Sequence, residues 1–168
     1  MKLYFRRCRD ADVALLDQLN PTPSVNSFHA QRYAAQESGD ATYLLALNER
    51  RPVGHALVKW NGCADDEVRD VHAGCPEING LEVFPARLRS RGIGSQLIAA
   101  CEDLARQRRL RWIGLGVADH NPRARQLYHS LRYSGRIRYV DRYTCIDSFG
   151  ARHDFADQCV FLVKQLKP

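Results

Sequence analysis

The stretch that decides the fold is residues 81–98, which read LEVFPARLRSRGIGSQLI. It begins as an apolar strand, passes through an arginine-rich turn, and opens an amphipathic helix through Gly92 and Gly94. Such a turn directs several backbone N–H groups outward at the positive end of a helix dipole, which suits a phosphate or pyrophosphate. The stretch therefore predicts an anionic cofactor at a strand-to-helix junction.

The bulk properties predict a single globular domain over residues 1–168. Hydrophobic residues make up 45% of the chain and charged residues 26%, which is typical of globular proteins. No apolar run approaches the roughly 20 residues that cross a bilayer, and the charged N-terminus lacks an apolar signal segment. We therefore expect a cytoplasmic protein with no membrane partner.

The charge is divided between two regions of the chain. The formal net charge is +6, and arginines crowd residues 87–111, just after an acidic stretch at residues 65–77. That stretch contains Asp65, Asp66, Glu67, Asp70 and Glu77, and further carboxylates follow at Asp141, Asp147, Asp154 and Asp157. A basic face beside an acidic face suits an anionic cofactor and a cationic substrate, although two solvated surfaces would give the same pattern.

The six cysteines predict neither disulfides nor a metal site. None forms a CxxC pair, and no secretory signal is present. Cys63, His72 and Cys75 could supply three zinc ligands, but a fourth ligand is not evident and the spacing fits no common zinc site. We therefore expect no metal.

Hydrophobic periodicity and turn residues predict the order β-α-α-β-β-β-α-β-α-β-β. The predicted strands cover residues 2–7, 42–47, 53–60, 78–84, 112–117, 137–143 and 159–166, and the predicted helices 11–19, 28–37, 92–108 and 121–133. Residues 61–76 and the polar stretch between the last two strands are predicted to be loops. Strands 78–84 and 112–117 are joined through a helix, so we expect them to be parallel.

The turn motif distinguishes between several kinds of phosphate site. The chain has no GxxxxGK[ST] motif and no GxGxxG after its first strand, so neither a P-loop nor a dinucleotide-binding Rossmann domain is expected. The junction instead carries Arg89-x-x-Gly92-x-Gly94. This resembles motif A of the GNAT superfamily (GCN5-related N-acetyltransferases), [QR]-x-x-G-x-[GA], which lies at the same kind of junction.

A second motif extends the resemblance. Residues 119–128, DHNPRARQLY, followed by Leu131-Arg132-Tyr133, are similar to the family's later Asn-x-x-Ala-x-x-x-Tyr motif and the turn after it. With two spaced motifs and a matching element order, the chain is identified as a member of that superfamily. The resemblance implies the α/β GNAT fold, a mixed, mostly antiparallel twisted sheet of about six or seven strands flanked by about four helices. The chain departs from the pattern at Arg132, where the family has glycine, and in the long connection 61–77.

The family uses acetyl-CoA, and the resemblance implies which residues hold it. The amides of residues 91–95 would hold the pyrophosphate, with charge-assisted contacts from Arg89 and Arg91. The edge of strand 81–84, Val83 above all, would pair with the pantetheine amides, and Arg125 would either touch the CoA phosphates or only solvate its helix. The implied cofactor-binding set is Val83, Phe84, Arg89, Arg91, Gly92, Ile93, Gly94, Ser95, Asn121, Arg125 and Tyr128.

The implied reaction is direct attack of an amine on the thioester. An ammonium group must first lose a proton, and Glu82 is the first candidate base, with Glu77 and Asp119 as alternatives. A strand amide near Val83 would stabilise the tetrahedral intermediate. Tyr128 would protonate the departing CoA thiolate. Without the resemblance, the position of Tyr128 on an apolar helix face would predict a core tyrosine.

The sequence does not name the acceptor. The acidic residues Asp65, Asp66 and Glu77 favour the primary amine of a small cationic molecule. Protein or peptide N-acetylation, aminoacyl-tRNA acetylation and a non-catalytic acyl-CoA-binding sensor remain alternatives. The basic cluster at residues 106–111 could contact RNA, but a solvated helix end explains it more simply, so nucleic acid is not expected as a partner. Because dimers are frequent in the family, a homodimer remains open.

Overall fold

The computed structural model describes residues 1–167, and in this part of the chain seven strands form one sheet. The strands are β1 (Leu3–Arg7), β2 (Ala41–Asn48), β3 (Arg51–Lys59), β4 (Glu77–Val83), β5 (Trp112–Ala118), β6 (Ser134–Ile146) and β7 (Arg152–Gln165). The helices are α1 (Asp10–Leu19), α2 (Phe28–Glu37), α3 (Asp66–Val71), α4 (Ile93–Gln107) and α5 (Pro122–Ser130). The strand order is β1-β2-β3-β4-β5-β7-β6, and only the β4–β5 pair is parallel. The predicted mixed, mostly antiparallel sheet is confirmed.

Helices cover both faces of the sheet. The apolar side of α4, which includes Ile93, Leu97 and Cys101, is buried against the central strands. On the opposite face, α1 and α2 cover a second cluster around Leu16 and Tyr43. This layering buries the central strands on both sides, so openings in the sheet arise only where strand pairing is interrupted.

Pairing is interrupted between β4 and β5. The two strands pair only through Glu77 with Gly114 and Ile78 with Leu115. On its other side, β4 places Gly80 and Leu81 opposite the single residue Ala56 of β3, which is a β-bulge. A bulge bends its strand, and here the bent part of β4 has no paired neighbour in β5. A gap therefore opens in the sheet after Ile78.

Two stretches predicted to be loops contain regular structure. Within residues 61–76, α3 forms a fifth helix, capped by the Asp65 carboxylate accepting from the Val68 amide at 3.1 Å. With only six residues, α3 is too short to show helical periodicity. The prediction of a loop between the last two strands was also wrong. There, β6 and β7 continue as a paired hairpin as far as Ile146 and Arg152. Its residues are largely polar because much of this hairpin is exposed.

The hairpin is fastened to the connection between α1 and α2. The Val25 amide donates to the Ile146 carbonyl at 2.9 Å, and the Ile146 amide donates to Ser24 Oγ at 3.0 Å. This contact brings β6 over the same face of the sheet that α2 covers. Within residues 1–167, no helix is long and apolar enough to span a membrane.

Candidate functional site

The turn between β4 and α4 has the geometry of an anion site. Ser90 and Gly92 both have positive φ, at 61° and 78°, and α4 begins at Ile93. In the described part of the chain, the amides of residues 90–95 have no hydrogen-bond acceptor. A Cβ added at Gly92 would meet no atom within 4 Å, so the outer surface of the turn is open. These free donors lie at the positive end of the α4 dipole.

The two arginines of the turn are placed differently. Arg89 turns back towards β4, where its Nε donates to the Val83 carbonyl at 3.1 Å and its Nη2 lies 3.7 Å from Glu82 Oε1. Arg91 is exposed and forms no ion pair with any described residue. Arg91 is therefore the more accessible charge for an anion, whereas Arg89 also stabilises the turn.

The residues beside the turn are closely packed. A Cβ at Gly94 would lie 3.9 Å from Val83 and 3.8 Å from Leu127, so the start of α4 contacts both β4 and α5. Phe84 is buried, and its amide donates to the Val53 carbonyl at 3.0 Å. Phe84 therefore packs the junction and has no free amide to offer a cofactor.

An open cleft of about 740 Å³ lies where β4 and β5 diverge. Its lining includes β3, β4 and β5, the side of α2 that carries Arg32, and the side of β6 that carries Tyr139 and Asp141. Tyr128 of α5 and Glu77 of β4 also line it. Two residues singled out in the sequence, a tyrosine and a carboxylate, thus share one cleft beside the sheet gap.

Tyr128 is suited to donating a proton. Its side chain is 9% exposed, and burial raises the pKa of its hydroxyl above the ordinary value of 10. The phenol therefore keeps its proton throughout the neutral pH range. Its position at the cleft makes that hydroxyl available to a group bound in the gap.

The carboxylates of the cleft form an acidic cluster: Glu77, Asp141 and Asp157. Glu77 is 3% exposed, and burial raises its pKa although Lys59 Nζ lies 3.1 Å from its Oε2. Burial, reinforced by the charge of Asp157 on the paired strand, also raises the pKa of Asp141. Such shifted carboxyl groups in a cleft are typical of acid–base or cation-binding sites.

Glu82 lies beside this cleft rather than among its lining residues. Its Oε2 accepts from Asn20 Nδ2 at 3.0 Å, and His55 Nε2 is 3.8 Å away. His55 is fully buried, and burial together with the charge of Arg32 lowers its pKa to about 3, so it is neutral. With 41% of its side chain exposed, Glu82 is held by neighbours yet open to solvent.

The other predicted substrate and cofactor residues have local partners. Asp65 caps α3, and Asp66 pairs with Arg69; neither lines the cleft. Asp119 pairs with Arg125, at 3.5 Å, and with Arg138.

Asn121 caps α5, and its side chain accepts from the Ala124 amide at 3.1 Å. The sequence pattern at residues 121–128 thus has a structural role in shaping α5, whatever its contribution to cofactor binding.

Sequence reasoning missed two cleft residues that the structure brings forward. Arg32 of α2 lines the cleft, and Tyr139 of β6 places its hydroxyl where a Cβ of Gly116 would be. The alternation of Tyr139, Asp141 and Tyr143 could have indicated one shared strand face. For Arg32 no sequence signal was available, because the cleft-facing side of α2 is set by its packing.

The basic cluster at residues 106–111 is partly engaged within the protein. Arg106 pairs with Glu102 and Asp103, and the Arg108 guanidinium lies 3.7 Å from the centroid of the Trp60 ring. Within residues 1–167, no group of three or more His, Cys, Asp or Glu side chains is placed to hold a metal ion.

A family model described as "Acetyltransferase (GNAT) family" matches residues 13–133. The chain therefore belongs to the GNAT family of acetyltransferases, and the protein is an acyltransferase.

Solved structures show the same fold over nearly the whole chain. Ard1 from Thermoplasma volcanium is 15% identical with a TM-score of 0.71, and the match covers 100% of both chains. The acetyltransferase yncA from Salmonella typhimurium, solved with its cofactor acetyl-CoA, is 18% identical with a TM-score of 0.68, covering 100% of this chain and 96% of its own.

The ribosomal-protein-alanine N-acetyltransferase from Brucella melitensis is 19% identical with a TM-score of 0.66, covering 97% of this chain and 99% of its own. At these identities the likeness concerns the fold. No curated protein sequence matches the chain.

Proposed function

We propose that the protein transfers the acetyl group of acetyl-CoA to the primary amine of a small cationic molecule by direct attack. The observation that carries this proposal is the gap between β4 and β5. It lies beside the anion-binding turn that follows β4 and opens onto an acidic cleft. An anionic cofactor and a cationic acceptor can thus approach the same break in the sheet.

The cofactor would bind along β4. Its pyrophosphate would accept hydrogen bonds from the amides of residues 91–95, with Arg91 adding a charge-assisted contact. The pantetheine arm would follow the edge of β4 at Val83, a position supported by the absence of a β5 partner there. The thioester would then lie near Tyr128, whose hydroxyl would protonate the departing thiolate.

The acceptor would enter from the acidic side of the cleft. Its ammonium group must lose a proton before it attacks, and the proposed base is Glu82, held by Asn20 and partly exposed. Glu77 is a second candidate because it lines the cleft and burial raises its pKa. The pH–rate profiles of Glu82→Gln and Glu77→Gln distinguish the two, since loss of the base flattens the acidic limb in only one of them.

The test of the proposed function is release of free CoA thiol from acetyl-CoA in the presence of polyamines, aminoglycosides, amino acids and short peptides. We expect thiol release that depends on a small cationic amine and is weak with peptides. Preference for a peptide α-amine would move the acceptor to the protein class. An intact thioester with every amine would leave a binding protein without transferase activity towards these acceptors.

A further inference from the structure

Arg32 lines the cleft but has no role in the proposed reaction. It lies on α2 and is partly buried. Its guanidinium packs on Gly80 at the β4 bulge, where a Cβ would lie 2.8 Å from Nη2 and 3.0 Å from Nε. Gly80 therefore lets this cation approach the backbone at the point where the sheet opens.

Arg32 has no acidic partner in the described residues 1–167. Nine other lysines and arginines pair with carboxylates in this part of the chain, but none of these pairs involves Arg32. Two buried imidazoles lie near it, and burial, together with the charge of Arg32, lowers the pKa values of both His29 and His55. A partly desolvated guanidinium without a counter-ion is unfavourable, and an oxyanion bound in the cleft would relieve this.

The cleft therefore has two regions of opposite charge. Arg32 is joined by Arg142 of β6, which also lines the cleft and forms no ion pair with a described residue. The acidic cluster of Glu77, Asp141 and Asp157 occupies the other region. A purely cationic acceptor would satisfy only the acidic region and would be repelled by the arginines.

We propose that the acceptor is a basic amino acid, with its carboxylate bound by Arg32 and its second cationic group facing the acidic cluster. This inference rests on the proposed function and narrows its substrate class. The guanidinium can bind a carboxylate through two parallel N–H donors. Because Arg32 stands at the β4 bulge beside the gap, a carboxylate there lies close to the attacking α-amine. The acidic cluster lies across the cleft, where a cationic side chain would reach it.

The test compares matched acceptors that differ only in the carboxylate. Thiol release from acetyl-CoA is measured with lysine, lysinamide and cadaverine, and with arginine and agmatine, for the unmodified protein and for Arg32→Gln. We expect the amino acids to be preferred, and Arg32→Gln to raise their KM by about 10-fold or more, the usual scale for losing a hydrogen bond between charged groups. The KM for cadaverine and agmatine should not rise, because these acceptors lack the carboxylate and Arg32→Gln removes a repelling charge. For the amino acids, Arg32→Lys should give an intermediate KM because it keeps the charge but loses the bidentate geometry.

Controls separate this inference from the proposed function and from misfolding. Arg136→Gln changes an exposed arginine outside the cleft lining and should behave as the unmodified protein. Calorimetric titration of lysine and cadaverine in the presence of CoA reports acceptor binding without turnover, and thermal unfolding reports folding.

Turnover of the diamine that equals or exceeds turnover of the amino acid overturns the inference but keeps the proposed function. If lysine binds only when Arg32 is present but no thiol is released, the carboxylate site is supported and the proposed function is wrong. A last experiment replaces acetyl-CoA with succinyl-CoA, whose acyl group carries a carboxylate. If Arg32→Gln weakens turnover of succinyl-CoA but leaves the KM of the amino acid unchanged, Arg32 binds the acyl donor and the inference is wrong.

Discussion

Gly92→Ala tests the anion-binding turn, with Gly150→Ala as a matched control. Both glycines have φ near +80°, at 78° and 82°, and a Cβ at either would meet no atom within 4 Å. The two substitutions therefore impose the same left-handed strain, about 1–2 kcal/mol for a residue with a Cβ. For a chain of this length, each kcal/mol of that strain corresponds to a fall in Tm of about 2–4 °C.

The two variants should differ only in cofactor binding. The new methyl group at Gly92 belongs to the turn whose amides, at residues 90–95, have no acceptor, whereas Gly150 lies in the turn between β6 and β7. The methyl group of Gly92→Ala should either block the close approach of the pyrophosphate to the backbone or move the turn out of its left-handed conformation. Either effect should remove about 1.4 kcal/mol or more of acetyl-CoA binding free energy, which is about 10-fold in Kd.

The assay is calorimetric titration of acetyl-CoA, with thermal unfolding of the same samples. We expect equal losses in Tm and a weaker Kd for Gly92→Ala alone. Unchanged affinity in Gly92→Ala, or an equal loss in both variants, would show that the turn is not the pyrophosphate site.

Three further predictions concern single side chains. Tyr128→Phe should lower turnover by about 10-fold or more with little change in acetyl-CoA affinity, and unaltered turnover would remove the hydroxyl from the mechanism. Tyr133→Phe removes a buried 2.9 Å hydrogen bond to Glu102 and should lower the free energy of unfolding by about 1.5–3 kcal/mol in urea titrations, so a change within error would refute this role. The Arg6 hydrogen bonds hold the pKa of Asp12 below its ordinary 3.8, so their stabilisation is present above that pH and is lost as pH falls through the folded pKa. Asp12→Asn should therefore lower stability at pH 7, and its difference from the unmodified protein should shrink in acid; a pH-independent difference would contradict the linkage.

The turn between β4 and α4 was predictable from sequence because its signals are local. A glycine with positive φ, a helix that begins directly after it and an Asn-Pro cap are each encoded within a few residues. The same locality explains why α4 and α5 were predicted close to their observed bounds. The gap itself has no local sequence signal, because a bulge at Gly80 depends on how β4 pairs with β3.

The cleft was less predictable from sequence because tertiary packing assembles it. Asp141 and Asp157 were recognised as acidic in the sequence, but only the fold shows that they are partners in the β6–β7 ladder. Asp65 and Asp66 were expected to bind substrate, yet a short helix uses one as its cap and pairs the other with Arg69. Both residues therefore have local partners and lie outside the lining of the cleft, which the sequence pattern alone does not reveal.

The turn and the cleft on either side of the sheet gap therefore differ in the groups that they offer to a ligand. At the turn before α4 the free donors are backbone amides, and in the proposed function these would bind a pyrophosphate whatever side chains surround them. At the cleft, Gly80 and Gly116 lack the Cβ atoms that would exclude the Arg32 guanidinium and the Tyr139 hydroxyl from the backbone of β4 and β5. Polar groups delivered by α2 and β6 thus reach the backbone at the gap itself. Acceptor preference should consequently follow substitutions in α2 and β6, while substitutions in the turn should change cofactor affinity and leave the order of preferred amines unaltered.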